Sequence, residues 1–294
     1  MDSKSPFRHV GAFLAVATLM LTGCIQSEST VTVKPDGSGT IVTQTTMGGA
    51  LVQMMQGMTQ QLGGEAGSRP SNPLLPDEEK LKATAADFGV GVTFIGIEEI
   101  NDPNGSVGSK VTYAFDNINA VKVAPEDAFG AMSELSEMSE QMAGAAGDNS
   151  SQSKAASKKD PITFSFTPGS PASLTINMPA PDPESLAPNS TKSEPTGTPD
   201  PTQLAMAQQM LGDMRFGLVV AVEGEVVESN ATYQDGNNTT IFSMEMGKML
   251  ADPANITKMQ ALENEDNFHR IKNSLQDIDG MKFEGEEAIT IKFQ

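Results

Sequence analysis

The residue whose type and position suggest the most definite chemistry is Cys24, the only cysteine among the 294 residues. It follows a largely apolar run at residues 10–21 and then Thr22 and Gly23, whose small side chains would let a peptidase reach the backbone. The run is too short to cross a bilayer, which takes about 20 residues, but it fits the core of a secretion signal. A thiol directly after such a signal can form a thioether with a diacylglyceryl group. We therefore predict cleavage before Cys24 and attachment of lipid to this residue.

Residues 21–24, LTGC, resemble the bacterial lipobox. The resemblance implies N-acyl (typically palmitate) and S-diacylglycerol groups on Cys24. The alternative is an ordinary secretion signal followed by an incidental cysteine, and the distance of the motif from the apolar run disfavours it. Because Ile25 and Gln26 follow, rather than an aspartate, we expect the outer membrane where the cell has one and otherwise the outer face of the cytoplasmic membrane. Lipidation would leave no thiol for disulfides, zinc sites or nucleophilic catalysis.

The net charge of the chain is strongly negative. The whole sequence carries −19 at pH 7, and residues 1–23 contribute one acidic and two basic residues, so the remainder carries −20. This charge repels phosphate backbones and anionic lipid head groups, so we expect no nucleic-acid partner and no polybasic membrane patch. With two Tyr and no Trp, the chain is also poor in the flat aromatic side chains on which many sugar sites are built.

The sequence patterns do not assemble a metal or catalytic site. Residues 36–41, DGSGTI, are similar to the centre of a calcium EF-hand, but Lys34 and Thr45 would stand where calcium needs carboxylates, so a hairpin turn is expected. Residues 235–238, DGNN, have the same explanation. His269 is the only histidine after the signal, and no nucleophile-elbow motif accompanies it. We predict no metal, no cofactor and no enzymatic activity.

Carboxylate-dependent hydrolysis is the remaining enzymatic alternative. Glu98, Glu99, Glu225 and Glu228 all lie near predicted strands, but the sequence does not bring two of them into one cleft. Acid–base catalysis also needs shifted pKa values, which a sequence does not show.

Methionine is the unusual residue of this chain, with 18 occurrences. Flexible thioethers fill irregular gaps in a core, and they also form adaptable binding surfaces. Met132 and Met138 share one face of a predicted helix, and Met206, Met210 and Met214 recur every four residues in another. Core packing is the simpler interpretation, and a surface that binds an amphiphile or a partner protein is the alternative. A copper(I) site is disfavoured because compact M-x-x-M clusters with histidine are missing.

The elements that must position these residues are hairpins alternating with short helices. Period-two alternation predicts strands at residues 30–33, 40–46, 90–100, 110–116, 216–222, 225–233, 239–246 and 288–293, and a hairpin over 162–178. Apolar residues at helical spacing predict helices at residues 51–62, after Asp77, after Pro125, near 206–214, after Asp252 and over 268–278. The predicted fold class is therefore α+β, mainly antiparallel sheet built from hairpins, with short Met-rich helices on one face.

Two segments with little apolar content divide the chain. Residues 144–160 are small and polar, and residues 179–201 are rich in proline, so both are predicted to be flexible linkers. The expected organisation is a signal peptide at 1–23, an N-terminal α+β part at 24–143, the first linker at 144–160, a β-hairpin at 161–178, the second linker at 179–201 and a C-terminal α+β part at 202–294 that packs against the N-terminal part.

Three features together resemble the LppM-like lipoprotein domain family. They are the lipidation motif at Cys24, the first strand pair VTVKPDGSGTIV at residues 31–42, and the stretch VEGEVVESN at 222–230 followed by the Asp-Gly-Asn turn at 235–237. The resemblance covers the two ends of the mature chain. It implies an α+β envelope domain without a settled enzymatic activity, which binds envelope lipids in some cases. The long middle with two linkers, and Phe242 where Trp is common in that family, depart from the pattern.

These observations lead to one functional expectation and two alternatives. We expect a membrane-anchored, non-catalytic cell-envelope lipoprotein that binds a lipid-like ligand or another envelope protein. The alternatives are a carboxylate-dependent envelope hydrolase and a purely structural surface lipoprotein. A closed apolar cavity would favour the first, two carboxylates facing each other in a cleft would favour the second, and neither feature would favour the third.

Overall fold

The computed structural model describes residues 25–53, 72, 74–124, 160–179, 208, 211–262 and 274–294. The strands in this part are β1 Ile25–Val33, β2 Gly39–Met47, β3 Thr93–Asn101, β4 Val107–Phe115, β5 Lys122–Val123, β6 Ile162–Thr167, β7 Ala172–Asn177, β8 Arg215–Val222, β9 Val226–Ser229, β10 Gln234–Asp235, β11 Asn238–Glu245, β12 Met281–Phe283 and β13 Ala288–Phe293. The helices with both ends described are α1 Glu78–Thr84, α2 Met246–Ala251 and α3 Pro253–Leu262, with a 3-10 turn at Ile118–Ala120. Residues 49–53 and 274–276 are also helical. None of the helices in the described ranges is long and apolar enough to span a membrane.

The strands form two sheets. The large sheet has eight strands in the order β10-β11-β8-β1-β2-β4-β3, with β12 also paired to β11, and the small sheet has five in the order β5-β6-β7-β13-β9. Strand β1 pairs in parallel with β8, while the other neighbours in both sheets are antiparallel. The predicted α+β class, mainly antiparallel, is confirmed.

The main core lies between the two sheets, because every second residue of their strands points inward. In β1, Val31 and Val33 are fully buried, whereas Glu28 points outward and is exposed. The central strands of the small sheet contribute Leu174, Ile176, Ile289, Ile291 and Phe293, all with no exposed surface. Side chains of both sheets belong to one continuous cluster of buried residues, which holds the sheets face to face.

The first hairpin forms where the sequence predicts it. Asp36 Oδ1 accepts hydrogen bonds from the backbone N–H of Ser38 at 2.9 Å and from its hydroxyl at 2.7 Å. Gly37 has φ +85°, a conformation that side chains disfavour, and Gly39 has no room for a Cβ beside the carbonyl oxygen of Thr32. The hairpin β6–β7 is also found as predicted, with Phe164 opposite Ile176, and it lies inside the small sheet between β5 and β13.

Helix α1 begins at the predicted cap. The carboxylate of Asp77 accepts hydrogen bonds from the backbone N–H groups of Glu79 and Lys80. The chain after the helix turns Phe88 into the core, where its ring lies 5.0 Å from that of Tyr113. Asp252 likewise accepts from the N–H of Ala254 at the start of α3, as expected.

The predicted strand at residues 225–233 is wrong. Residues 225–233 do not form a single strand: β9 belongs to the small sheet, and the chain then crosses to the large sheet at β10. The change of sheet occurs at Asn230, whose backbone N–H still donates to the carbonyl of Thr290, while its side chain donates to the carbonyl of Ala288 and accepts from the N–H of Thr290. Strands β5 and β12, each of three residues or fewer, have no counterpart in the predicted pattern.

The large sheet has two chemically different ends. At the end where β1 begins, here called the Ile25 end, lie Ile25, Met47, Val107, Arg215 and Glu245, since these residues stand opposite one another in successive strands. The opposite end, the Val33 end, carries the turn at residues 34–38. Hydroxyl pairs between β1 and β2, Ser27 with Thr45 at 3.1 Å and Ser29 with Thr43 at 3.0 Å, separate the main core from the side chains of the Ile25 end.

Methionine is concentrated near the Ile25 end. One small cluster contains Met47, Phe216 and half-buried Met214, and a second is built around Met249 and Met281 of the helices and β12, with Met244, Met246 and Met259 packed against it. The main core contains no fully buried methionine among the residues described. Flexible thioethers therefore fill the irregular junctions between helices and sheet, while branched side chains fill the space between the sheets.

Candidate functional site

The outer face of the large sheet carries a groove of about 480 Å³. Its floor is formed by the outward-facing side chains of β1, β8 and β11, which stand in register: Thr30 beside Val219, and Val219 beside Thr240. The segment that crosses between the sheets forms one wall. The complete lining is Glu28, Thr30, Val219, Thr232, Tyr233, Gln234, Asp235, Asn238, Thr240 and Lys282.

A glycine lies beneath Glu28 at the edge of the groove. Gly217 stands between Glu28 on β1 and Ser243 on β11, and Ser243 stands beside Lys282 on β12. A Cβ on Gly217 would lie 3.8 Å from Cγ of Glu28 and 3.6 Å from the carbonyl oxygen of Phe242, which is ordinary contact. A small side chain would therefore fit the fold and would contact the side chain of Glu28, which lines the groove.

The wall of the groove is held by a buried carboxylate. Glu284 is 1% exposed and accepts hydrogen bonds from the backbone N–H of Thr232 at 2.7 Å, from its hydroxyl at 2.9 Å and from the N–H of Gly285 at 3.1 Å. Gln234 closes the following turn, since its amide donates to the carbonyls of Gly236 and Asn238. These hydrogen bonds fix Thr232 and Gln234, so Tyr233, which lies between them in the chain, is directed into the groove.

Tyr233 and Lys282 lie together on the groove wall. The Nζ of Lys282 is 5.9 Å from the centre of the Tyr233 ring, within the range of a cation–π contact. Partial burial, and secondarily the negative charge of Glu284, raise the pKa of Tyr233 above its ordinary value of 10.0. The phenol is therefore protonated at neutral pH and able to donate a hydrogen bond to a ligand.

Four charged or polar groups in the groove form no hydrogen bond or ion pair with other described residues. The exposed carboxylates of Glu28 and Asp235 form no ion pair or hydrogen bond there, and neither do the ammonium of Lys282 and the hydroxyl of Tyr233. Together they offer two acceptors and two donors around an open space. Such a mixture suits a ligand that carries several hydroxyl groups better than it suits a ligand of one charge sign.

A second cavity of about 370 Å³ shares Tyr233 and Lys282 with the first. Its far side is formed by Glu245 and Lys248, whose charged groups are 3.1 Å apart, and Arg215 also lies 3.3 Å from the same Glu245 carboxylate. Lys248 and Arg215 are therefore already paired with Glu245, and the second cavity adds no unpaired cation to the Lys282 that it shares with the groove.

The predicted site residues fall mostly outside the described ranges. Cys24, Met132, Met138, Met206 and Met210 are among those outside, as is His269. Met214 is described: it is half-buried, packs against the cluster around Met47, and its carbonyl accepts a hydrogen bond from the N–H of Met246. The assignment of these methionines to a binding surface remains a prediction.

The four glutamates considered as catalytic candidates do not meet. Glu98 pairs with Lys110 at 3.5 Å on the large sheet, and Glu228 pairs with Lys292 at 2.6 Å on the small sheet. The Asp36 loop is a hairpin turn in which the Ser38 hydroxyl, more than any other group, lowers the pKa of the Asp36 carboxyl. Within the described ranges, no three His, Cys, Asp or Glu side chains cluster closely enough to hold a metal ion.

The groove residues were not identified from the sequence. Glu28 and Lys282 are about 250 positions apart and meet only because β12 joins the edge of β11, a pairing that strand patterns do not specify. The one local signal was an outward-facing Tyr next to a polar turn in a chain with two Tyr.

Comparison with known proteins shows little similarity. No family model and no curated protein matches this chain. Among solved structures, the NMR structure of the folded domain of LppM from Mycobacterium tuberculosis is similar over 78% of this chain and 88% of that domain, at 12% sequence identity and a TM-score of 0.29. This is a weak similarity at the level of the fold, and it assigns no ligand or activity to the present chain.

Proposed function

We propose that the protein is a lipid-anchored, non-catalytic lipoprotein of the cell envelope that binds the polar head of a lipid-like ligand in the groove on the large sheet. The observation that carries the ligand assignment is the convergence of the side chains of Glu28, Asp235, Tyr233 and Lys282 on one open groove, none of them in a hydrogen bond or ion pair with another described residue. The lipid anchor is supported by the motif at residues 21–24.

The groove favours a head group over an acyl chain. Its lining is polar apart from Val219 and the ring of Tyr233, and an acyl chain would strip water from unpaired charges without replacing their hydrogen bonds. A hydroxylated head group could accept from Lys282 and Tyr233 and donate to Glu28 and Asp235. Neither of the two cavities described above is the closed apolar cavity expected for an acyl chain.

A carboxylate-dependent hydrolase is the second candidate, because Glu28 and Asp235 line the same groove. Both side chains are exposed to solvent, so neither has the dry surroundings that turn a carboxyl group into a general acid. This favours binding over hydrolysis.

The anchor is tested by replacing Cys24 with Ala. The variant should remain uncleaved at this site and should incorporate no labelled fatty acid, because no other thiol can form the thioether. Normal lipid labelling of this variant would refute the anchor.

The groove is tested with the purified lipidated protein, immobilised and incubated with an envelope lipid extract. Lys282→Ala should reduce the captured lipid at least about tenfold, which corresponds to the loss of a charge-assisted hydrogen bond of about 1.4 kcal/mol or more. Lys292→Ala is the matched control, since Lys292 lies on the small sheet. Gly217→Ala, which the fold accommodates, should also weaken capture. Equal capture by all variants would contradict the groove assignment, and release of hydrolysed products would favour the hydrolase.

A further inference from the structure

The ordered sheet begins directly after the residue proposed to carry the lipid. Ile25 is 2% exposed and stands opposite Met47, and Gln26 stands opposite Arg215 of β8. Consecutive Cα atoms are about 3.8 Å apart, so Cys24 is within that distance of a residue fixed in the sheet. The chain therefore has no flexible tether between the lipidated cysteine and the first strand.

We propose that the Ile25 end of the large sheet rests on the membrane head groups, with β1 pointing away from the bilayer. This inference rests on the proposed lipidation of Cys24. It assigns an interaction surface, and its partner is the lipid surface in which the anchor is embedded.

The position of β1 within the sheet supports this orientation. At the Ile25 end, β1 has β2, β4 and β3 on one side and β8, β11 and β12 on the other, because β10 pairs only with Asn238 and Thr239 near the Val33 end. Neighbouring strands are about 4.8 Å apart, so each flank extends about 14 Å from β1. The lipid anchor would therefore be attached near the middle of the Ile25 end. This position resists tilting in the plane of the sheet, because tilting would push either the turn at residues 101–106 or the start of α2 into the head groups.

Electrostatic attraction does not explain the contact. Arg215 and Lys248 at this end share the carboxylate of Glu245, and Asp102 and Asp213 lie at the same end, so the local charge is not basic. The covalent lipid must hold the surface in place, and the contact should therefore form on neutral as well as on anionic bilayers.

The orientation also determines the height of the groove. Glu28 is four residues from Cys24, which is about 13 Å along a strand. The groove would therefore open just above the head-group layer, where it could receive a large head group projecting from the same membrane.

The test uses the full lipidated protein, in which Cys24 is blocked by its thioether, so that an introduced cysteine is the only free thiol. One variant, Pro103→Cys, places a fluorophore in the exposed turn between β3 and β4 at the Ile25 end. The matched variant, Lys34→Cys, places it at the Val33 end, about 30 Å from the start of β1. Each is reconstituted into phosphatidylcholine vesicles that contain a lipid with a nitroxide on its head group, a short-range quencher.

We expect quenching at position 103 to be several-fold stronger than at position 34. Insertion of about ten Gly and Ser residues between Cys24 and Ile25 should reduce the difference, because a flexible linker frees the domain from the surface. Equal quenching at the two positions in vesicle-bound protein without the insert would overturn the proposed orientation and leave the lipid anchor intact. Protein that carries no lipid and does not bind vesicles would refute the anchor itself, and the orientation with it.

Discussion

The carboxylate of Glu284 binds Thr232 twice, accepting from its backbone N–H at 2.7 Å and from its hydroxyl at 2.9 Å. The contact lies where the chain has left the small sheet after β9 and is about to enter the large sheet at β10. A loop at such a crossing has few backbone partners, and the buried carboxylate supplies them. Glu284 therefore positions Tyr233 in the groove without lining the groove itself.

The first prediction concerns this contact. Glu284→Ala removes the acceptor of three donors, the N–H and hydroxyl of the exposed Thr232 and the buried N–H of Gly285, so we expect a loss of about 1–3 kcal/mol in the free energy of unfolding, measured by urea denaturation. Glu225→Ala, at the turn before β9, is the control and should change stability by less than about 0.5 kcal/mol. A stability loss equal to that of the control would show that Glu284 does not hold the crossing segment.

The second prediction concerns the pKa of Tyr233. Glu284→Gln removes the negative charge that helps to raise this pKa, so the pKa should fall, while remaining above 10.0 because burial, the larger cause, persists. A raised pKa favours the neutral phenol in the folded state, so its contribution to stability is complete below about pH 10 and is lost as the pH rises through the folded-state value. Tyrosinate absorbance in a Tyr113→Phe background reports Tyr233 alone. An unchanged titration curve would contradict the assigned effect of Glu284.

The third prediction compares two isoleucines on strands. Ile291 has no exposed surface and lies in the main core, whereas Ile95 is 62% exposed on β3. Ile291→Ala should cost about 2–5 kcal/mol, because it removes buried methyl groups and leaves a cavity. Ile95→Ala should cost less than about 1 kcal/mol, mainly through lower strand propensity. Similar losses for the two variants in urea denaturation would mean that the core is misplaced.

The fourth prediction separates packing from binding among the methionines. Met47 is fully buried, so Met47→Ala should destabilise by about 2–5 kcal/mol and Met47→Leu by less than about 1.5 kcal/mol. Met214 packs against the same cluster but is half-buried, so Met214→Ala should cost about 1–2 kcal/mol. If Met214→Ala left thermal unfolding unchanged and reduced capture of envelope lipid, Met214 would belong to a binding surface instead.

The fifth prediction concerns the two segments that are predicted to be linkers because of their amino-acid composition. Their few apolar residues cannot offset the entropy of ordering them, so brief proteolysis should cut within residues 144–160 and 179–201 first. Early cuts within β8 or β11, which belong to the large sheet, would contradict the predicted organisation.

Local features of the fold were predictable from the sequence. The last strand, β13, has the predicted bounds, because Ile289, Ile291 and Phe293 alternate with polar residues and point into the core. The Asp36 turn and the Asp77 cap were equally predictable, since each depends on hydrogen bonds between a side chain and backbone groups two or three residues away.

The pairing of distant strands was not predictable. Alternation shows that β8 has a buried face, but it does not show that β8 lies beside β1 in parallel. The sequence predicts one strand over residues 225–233 and gives no sign that the chain changes sheets at Asn230. The groove depends on both of these arrangements, and it was therefore found only in the structure.

The parallel pairing of β1 with β8 also has a consequence for the order of synthesis. Gln26 and its partner Arg215 are 189 positions apart, which a ribosome covers in about 10–40 s. During that time β1 can pair with β2, but its other edge and its apolar side chains have no native partner. A nascent chain in this state offers an unpaired strand edge to any neighbouring chain. Aggregation during biogenesis should therefore increase with the time between the synthesis of β1 and the synthesis of β8.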